Sequence, residues 1–256
     1  MKRLLSSLVF LAVLLCGSDG AWAQTEITLL VPGPMGRETM PMVVSGFESK
    51  TGNKVNMTFA VGSRDVEPYG TRQLVARGQA LDVSIMFAPF PEALASGNVD
   101  PRSATTLARL VLGISVRKGA PRPDISSAAA LRRALLAAKA ISVIDPKQGT
   151  LGYQAMQVLE KLGIAEEVKP KIKFGGAGPV ANGEAEIFIG PEVSDDINAG
   201  IDLVGPAPFD AATPVEIVGF VSTRAKDPKA AAALLQYLKS PEAEAAYKAH
   251  GLLPVQ

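Results

Sequence analysis

Residues 140–156, AISVIDPKQGTLGYQAM, decide how the rest of the chain is read. Ile141-Ser142-Val143-Ile144 is an apolar, β-branched run and predicts a strand. Asp145 to Gly152 is a turn carrying Pro146, Gly149 and Gly152, and Tyr153 to Leu162 has helical spacing, closed by Gly163. A strand, a glycine-bearing loop and a helix start can seat an anion. The free loop amides and the positive end of the helix dipole converge on one spot. Gly149 and Gly152 let backbone come close to a ligand, and Thr150 adds a hydroxyl donor. Many βα units share this pattern and bind nothing, so its meaning depends on its neighbours.

Upstream, Glu26 to Val31 reads as a strand, Pro32 to Gly36 as a loop, and Arg37 to Lys50 as a helix stopped by Gly52. Lys54 to Ala60 alternates as a strand, Val61 to Asp65 is a second glycine loop, and Val66 to Arg77 is a helix ending at Gly78. Leu81 to Phe87 is a third strand, with a short helix at Pro91 to Ser96. This βαβαβ order predicts a mostly parallel sheet with helices on its faces. Leu107 to Val116 is a long apolar strand, broken off at Gly119 to Pro123. A second βα series follows: a helix at Ser127 to Ala138, the opening segment, and strands at Ile172 to Phe174, Ala185 to Gly190 and Ile201 to Val204. Val215 to Ser222 is another long strand. Asp227-Pro228 and Ser240-Pro241 start two final helices, and Gly251 stops the second. The two long strands bracket the second series. The expected fold is therefore α/β with two lobes joined by two crossovers, lobe 1 being 24–107 plus 221–256 and lobe 2 being 108–220. The cleft between such lobes takes a ligand.

The N-terminus reads as an export signal: Lys2 and Arg3, an apolar run from Leu4 to Cys16 too short to span a bilayer, and Ala21-Trp22-Ala23 as a small-x-small cleavage site. Cleavage after Ala23 leaves residues 1–23 behind, places the mature chain in the periplasm and removes Cys16, the single cysteine. No disulfide, thiol nucleophile or cysteine-bound metal is then expected. Losing Lys2, Arg3 and Asp19 leaves 24 basic and 24 acidic residues, a balance that points to neither nucleic acid nor a membrane surface. His250 is the only histidine, so neither a histidine metal site nor a Ser-His-Asp triad is expected, and no cofactor is indicated. It reads as an imidazole at a helix end.

Several ordered pieces resemble the periplasmic type II solute-binding proteins in their molybdate-binding branch. They are Ile27-Thr28-Leu29-Leu30-Val31, Phe47 to Val55, Gly62-Ser63, Leu81-Asp82-Val83-Ser84-Ile85, Lys118 to Ile125, Asp145-Pro146, Gly183 to Ile187 and Ser240-Pro241-Glu242-Ala243. The match runs along the whole mature chain and looks most like a sub-branch that also includes aconitate isomerase. The resemblance implies a small anionic ligand, an ABC permease as the only link to the membrane, and a monomer. It also implies ligand groups where the motifs match. The first loop offers Met35 and Gly36, although Pro32 and Pro34 remove two amide donors. The second offers Ser63. The Asp145-Pro146 loop offers Gly149, Thr150, Leu151 and Gly152. After the strand that follows Gly183, the chain reads Ile189-Gly190-Pro191-Glu192-Val193, so Pro191 and Glu192 stand where molybdate binders often place a tyrosine. The proline-blocked first loop and the missing tyrosine argue against an ordinary molybdate site. Gly175 to Asn182 is short relative to the sub-branch, carries few apolar residues and could barely make a helical turn.

Arg37 and Arg64 each follow a ligand loop near a helix start, where the dipole disfavours a cation. A guanidinium fork grips a carboxylate, which favours an organic di- or tricarboxylate. The plainer reading is a surface pair of each with its neighbour, Glu38 or Asp65. Two functions follow. One is a binding protein that captures a small anion, oxyanion or organic carboxylate, for an ABC importer. The other is an aconitate-isomerase-like enzyme, with Glu192, Glu38 or Asp65 as acid/base and Ser63 or Thr150 as donors. A sensor or partner-binding module has no positive sign in the sequence.

Overall fold

The computed structural model describes residues 24–36, 39–60, 70–79, 81–147, 150–191, 200–253 and 255, without the side chain of Pro34. The first sheet holds β1 (Glu26–Pro32), β2 (Lys54–Ala60), β3 (Val83–Phe87), β4 (Thr105–Leu110) and β10 (Val215–Val221), in the order β2-β1-β3-β10-β4. The second holds β5 (Leu112–Arg117), β6 (Ile141–Val143), β7 (Ile172–Phe174), β8 (Ile187–Pro191) and β9 (Ile201–Pro206), in the order β7-β6-β8-β5-β9. Each sheet is a parallel triplet with its first strand in the middle, then a reversed strand and an outer one. β1 is parallel to β2 and β3, and β6 to β7 and β8. β10 runs against β3 and β4, and β5 against β8 and β9. This is the expected two-lobed α/β architecture.

The apolar run 107–116 belongs to both sheets. It splits at Val111 into β4 and β5, and both parts lie among buried neighbours, so the hydrophobic pattern runs through the break. The second long run behaves differently. All of β10 pairs within the first sheet, and the chain crosses back earlier, at 207–214. Sheet membership thus divides the chain at Val111 and within 207–214, where the sequence reading put the divisions after residues 107 and 220.

The helices are α1 (Gly33–Gly36), α2 (Thr39–Thr51), α3 (Thr71–Ala76), α4 (Pro91–Ala95), α5 (Ala128–Ala137), α6 (Thr150–Lys161), α7 (Ala165–Val168), α8 (Gly178–Ala181), α9 (Pro228–Tyr237) and α10 (Pro241–Ala249). The main core runs through both halves, from Leu29, Phe47 and Ile85 to Leu131, Val143 and Leu159, and includes Leu110, Leu112 and Ala211 at the crossings. α9 and α10 complete the first half. Tyr237 packs on Phe47 with ring centroids 5.6 Å apart, Lys50 pairs with Glu242 at 2.8 Å, and Leu253 bridges to Arg109 on the outer strand β4. Burying an aromatic side chain such as Phe47 contributes about 1.5–3 kcal/mol, far more than the exposed ion pair.

The caps read from the sequence are formed. Ser240 Oγ accepts from Ala243 N at 3.2 Å, and Asp227 Oδ1 accepts from Lys229 N and Ala230 N, both at 3.0 Å. Replacing Asp227 by Ala is expected to lower the stability of the folded chain by about 1 kcal/mol, read as a lower urea midpoint with unchanged slope.

Candidate functional site between the two sheets

Strand direction places the cleft. In the first sheet, β4 runs parallel to β3 and ends at Leu110, so the carboxyl edge of β1, β2 and β3 faces the crossing at Val111. In the second, Leu112 at the start of β5 pairs with Pro191 at the end of β8, so the carboxyl edge of β6, β7 and β8 faces the same crossing. The return path agrees: Pro206, ending β9, pairs with Gly113, and Ile217, near the start of β10, pairs with Phe87, at the end of β3. The carboxyl ends of both parallel triplets therefore meet across the two crossings. Such ends are where open α/β sheets bind ligands.

The expected site residues distribute as follows. Thr150, Leu151 and Gly152 form the first turn of α6, just beyond the end of β6, so the helix begins three residues earlier than expected at Tyr153. Thr150 and Leu151 are 8 % and 7 % exposed. Pro191 is half-buried at the end of β8, beside the first crossing. Met35 and Gly36 follow β1, but 33–36 is a helical turn rather than an open loop, and the Met35 side chain is sealed in the main core. That turn lies close over the end of β2, where a Cβ on Gly33 would stand 3.2 Å from Ala60 O. Arg37, Glu38, Ser63, Arg64, Asp65, Gly149 and Glu192 lie outside the described residues.

Gly152 has a role the sequence did not reveal. A Cβ there would stand 2.5 Å from Ile144 O and 2.7 Å from Asp145 O. The glycine admits the turn that enters its own helix, so close approach of a ligand is not needed to explain it. Asp145 Oδ1 closes that turn by accepting from Lys147 N at 2.9 Å. The segment after β7 is tied to the same strand end: Gly175 N and Gly176 N both donate to Val143 O at 3.2 Å, and Ser142 Oγ donates to Gly176 O at 2.6 Å. The short stretch 175–182, expected to make barely a helical turn, holds one four-residue turn, α8. Among the described residues, no group of histidines, cysteines and carboxylates is placed to hold a metal ion.

In the first half, Asp82 precedes β3 and is 3 % exposed. Its Oδ2 accepts from Thr28 N at 2.8 Å and Thr28 Oγ1 at 2.7 Å, and its Oδ1 accepts from Lys226 N at 2.7 Å. Burial pushes its pKa up, but these donors outweigh burial and hold it below the ordinary Asp value.

Arg72 was not singled out in the sequence, because the helix expected there began at Val66 and put it mid-helix. α3 starts at Thr71, so Arg72 lies in the first turn. Its Nη1 donates to Pro89 O at 3.2 Å, and Pro89 lies just past the end of β3.

A family model for bacterial extracellular solute-binding protein matches residues 27–253. Aconitate isomerase of a Pseudomonas species is 31 % identical over 261 residues, spanning 98 % of this chain and 97 % of that protein. The molybdate-binding protein ModA of Azotobacter vinelandii is 28 % identical over 257 residues, spanning 93 % and 92 %. Among solved structures, the substrate binding domain of a putative molybdenum ABC transporter from Clostridium difficile superposes with a TM-score of 0.71. It covers 91 % of this chain and all of that one at 16 % identity, which speaks to the fold alone.

Proposed function

The chain belongs to the bacterial extracellular solute-binding protein family, and we propose that it captures a small anion between its two lobes and delivers it to an ABC importer. The observation that carries this reading is the convergence of both carboxyl edges on the two crossings. The start of α6 then supplies amides and the Thr150 hydroxyl from the second lobe, with Pro191 beside them and the turn at Met35 and Gly36 opposite. The glycine loops at Ser63 and Gly149 belong to the same proposal. Export behind a signal cleaved after Ala23, as a monomer, suits this role, and ModA is the relative that supports it.

The test is a ligand panel on the mature protein. Molybdate, tungstate, sulfate, phosphate, citrate and both aconitate isomers are added in thermal unfolding, since a ligand held by the native state raises the midpoint by mass action. A saturable shift with at least one anion, confirmed by calorimetry, is expected; a flat response to all of them removes the reading.

The second reading is isomerisation of aconitate on the same fold, favoured by the 31 % identity with aconitate isomerase over almost the full length of both proteins. It needs an acid/base beside the bound substrate, with Glu38, Asp65 and Glu192 as candidates. Formation of cis-aconitate from trans-aconitate at micromolar protein decides it.

A further inference from the structure

We propose that Arg72 is a carboxylate-binding group of the cleft, so that the anion this protein holds is an organic carboxylate rather than a bare tetrahedral oxyanion. The inference rests on the anion-binding reading above and narrows it to a ligand class.

Arg72 stands at the right edge of the fold. Pro89, whose carbonyl it meets at 3.2 Å, follows β3 by two residues, on the edge that faces the second sheet. That contact fixes the height of the guanidinium at the strand ends and engages Nη1. The other N–H groups of the fork are directed by the same plane. The side chain is partly buried, yet among the described residues no carboxylate lies within 4.0 Å of it. Some other cations of the first half are paired: Lys50 has Glu242 at 2.8 Å, Lys54 has Glu48 at 3.6 Å and Arg102 has Asp100 at 3.0 Å.

The position runs against local electrostatics. A cation in the first turn of a helix faces the positive end of the dipole. An arginine held there, steered by a neutral carbonyl and with no carboxylate partner among the described residues, suits an anion that arrives from outside. Guanidinium geometry then selects the class. The planar fork matches the two coplanar oxygens of a carboxylate and gains two parallel hydrogen bonds. Amides and hydroxyls alone, as at the start of α6, would serve a compact oxyanion. A molecule carrying carboxylates at two ends places one at α6 and the other at Arg72.

Calorimetric titration of wild type, Arg72→Ala and Arg72→Lys with trans-aconitate, citrate and molybdate tests this. Wild type is expected to bind at least one carboxylate probe. Arg72→Ala is expected to weaken that binding tenfold or more, and Arg72→Lys by an intermediate factor, with the ligand-free unfolding midpoints of all three within a degree or two. Arg72→Ala binding the carboxylate as wild type does overturns the assignment while leaving an anion-binding protein. Wild type binding molybdate but neither carboxylate overturns the ligand class. Wild type binding no anion of the full panel removes the anion-binding reading itself and the role of Arg72 with it.

Discussion

Replacing Asp82 by Ala is expected to cost about 3–5 kcal/mol at neutral pH, the largest stability loss of any single polar residue considered. The carboxylate accepts from Thr28 N, Thr28 Oγ1 and Lys226 N, all within 2.8 Å, and is 3 % exposed. Removing it leaves those partly buried donors without their acceptor, at about 1–3 kcal/mol for each that neither water nor a neighbouring group satisfies. The consequences spread, because Thr28 lies on β1, the middle strand of the parallel triplet, and Lys226 stands just before Asp227, the cap of α9. Asp82→Asn keeps the shape but turns an NH2 towards one of the donors, so about 2 kcal/mol is expected. The pH dependence has a definite sign. The folded pKa lies below the ordinary Asp value, so the folded state favours the ionised form. The contribution of Asp82 is complete above the unfolded pKa, about 3.9, and is lost as pH falls from there through the folded value. Urea unfolding at pH 7 and at successively lower pH should show the gap between wild type and Asp82→Asn constant down to about pH 5, then narrowing. A gap that widens on acidification would contradict the assignment.

How much of this was readable beforehand varies with the physics involved. The βα order and the starts of α9 and α10 were legible, because alternation, glycine stops and Asp-Pro or Ser-Pro caps are local signals. The break at Val111 was not. A strand leaving one sheet for the next stays buried on both sides, and nothing in the composition of Leu110-Val111-Leu112 marks the change of partners. The position of the second crossing was hidden for the same reason: β10 is as apolar as a bridging strand, but its pairing with β3 and β4 is long-range. Of the expected site residues, Thr150, Leu151, Gly152 and Pro191 lie just beyond or at strand ends, where local pattern can place a residue. Arg72 escaped because its meaning depends on where α3 begins and on a carbonyl 17 residues away. Gly152 was found, but a glycine in a loop does not say whether a ligand or the chain itself comes close.

That ambiguity makes Gly152→Ala the second large effect. Elsewhere in a helix, exchanging Gly for Ala gains about 1 kcal/mol in propensity. Here the added methyl would lie 2.5 Å and 2.7 Å from two carbonyl oxygens and 2.8 Å from Asp145 C, all backbone. Backbone cannot swing aside as the tip of a long side chain can. α6 is also pinned from below by Ala155, Val158 and Leu159, each buried in the main core, so tilting its first turn outward strains that packing. Overpacking of this kind costs about 1–3 kcal/mol, which outweighs the propensity gain, and Gly152→Val adds a β-branch to the same collision. A lower unfolding midpoint for Gly152→Ala and a much lower one for Gly152→Val are expected. The proposed anion seat responds separately. The first-turn amides of α6 are aimed by the contact between Gly152 and the Ile144–Asp145 backbone, so moving that turn by a few tenths of an ångström misdirects every donor in it. Affinity for the anion that stabilises wild type should therefore fall tenfold or more in Gly152→Ala, at a temperature where the variant is still folded. A folded Gly152→Ala variant with wild-type affinity would place the ligand elsewhere along the facing edges and leave Gly152 as packing alone.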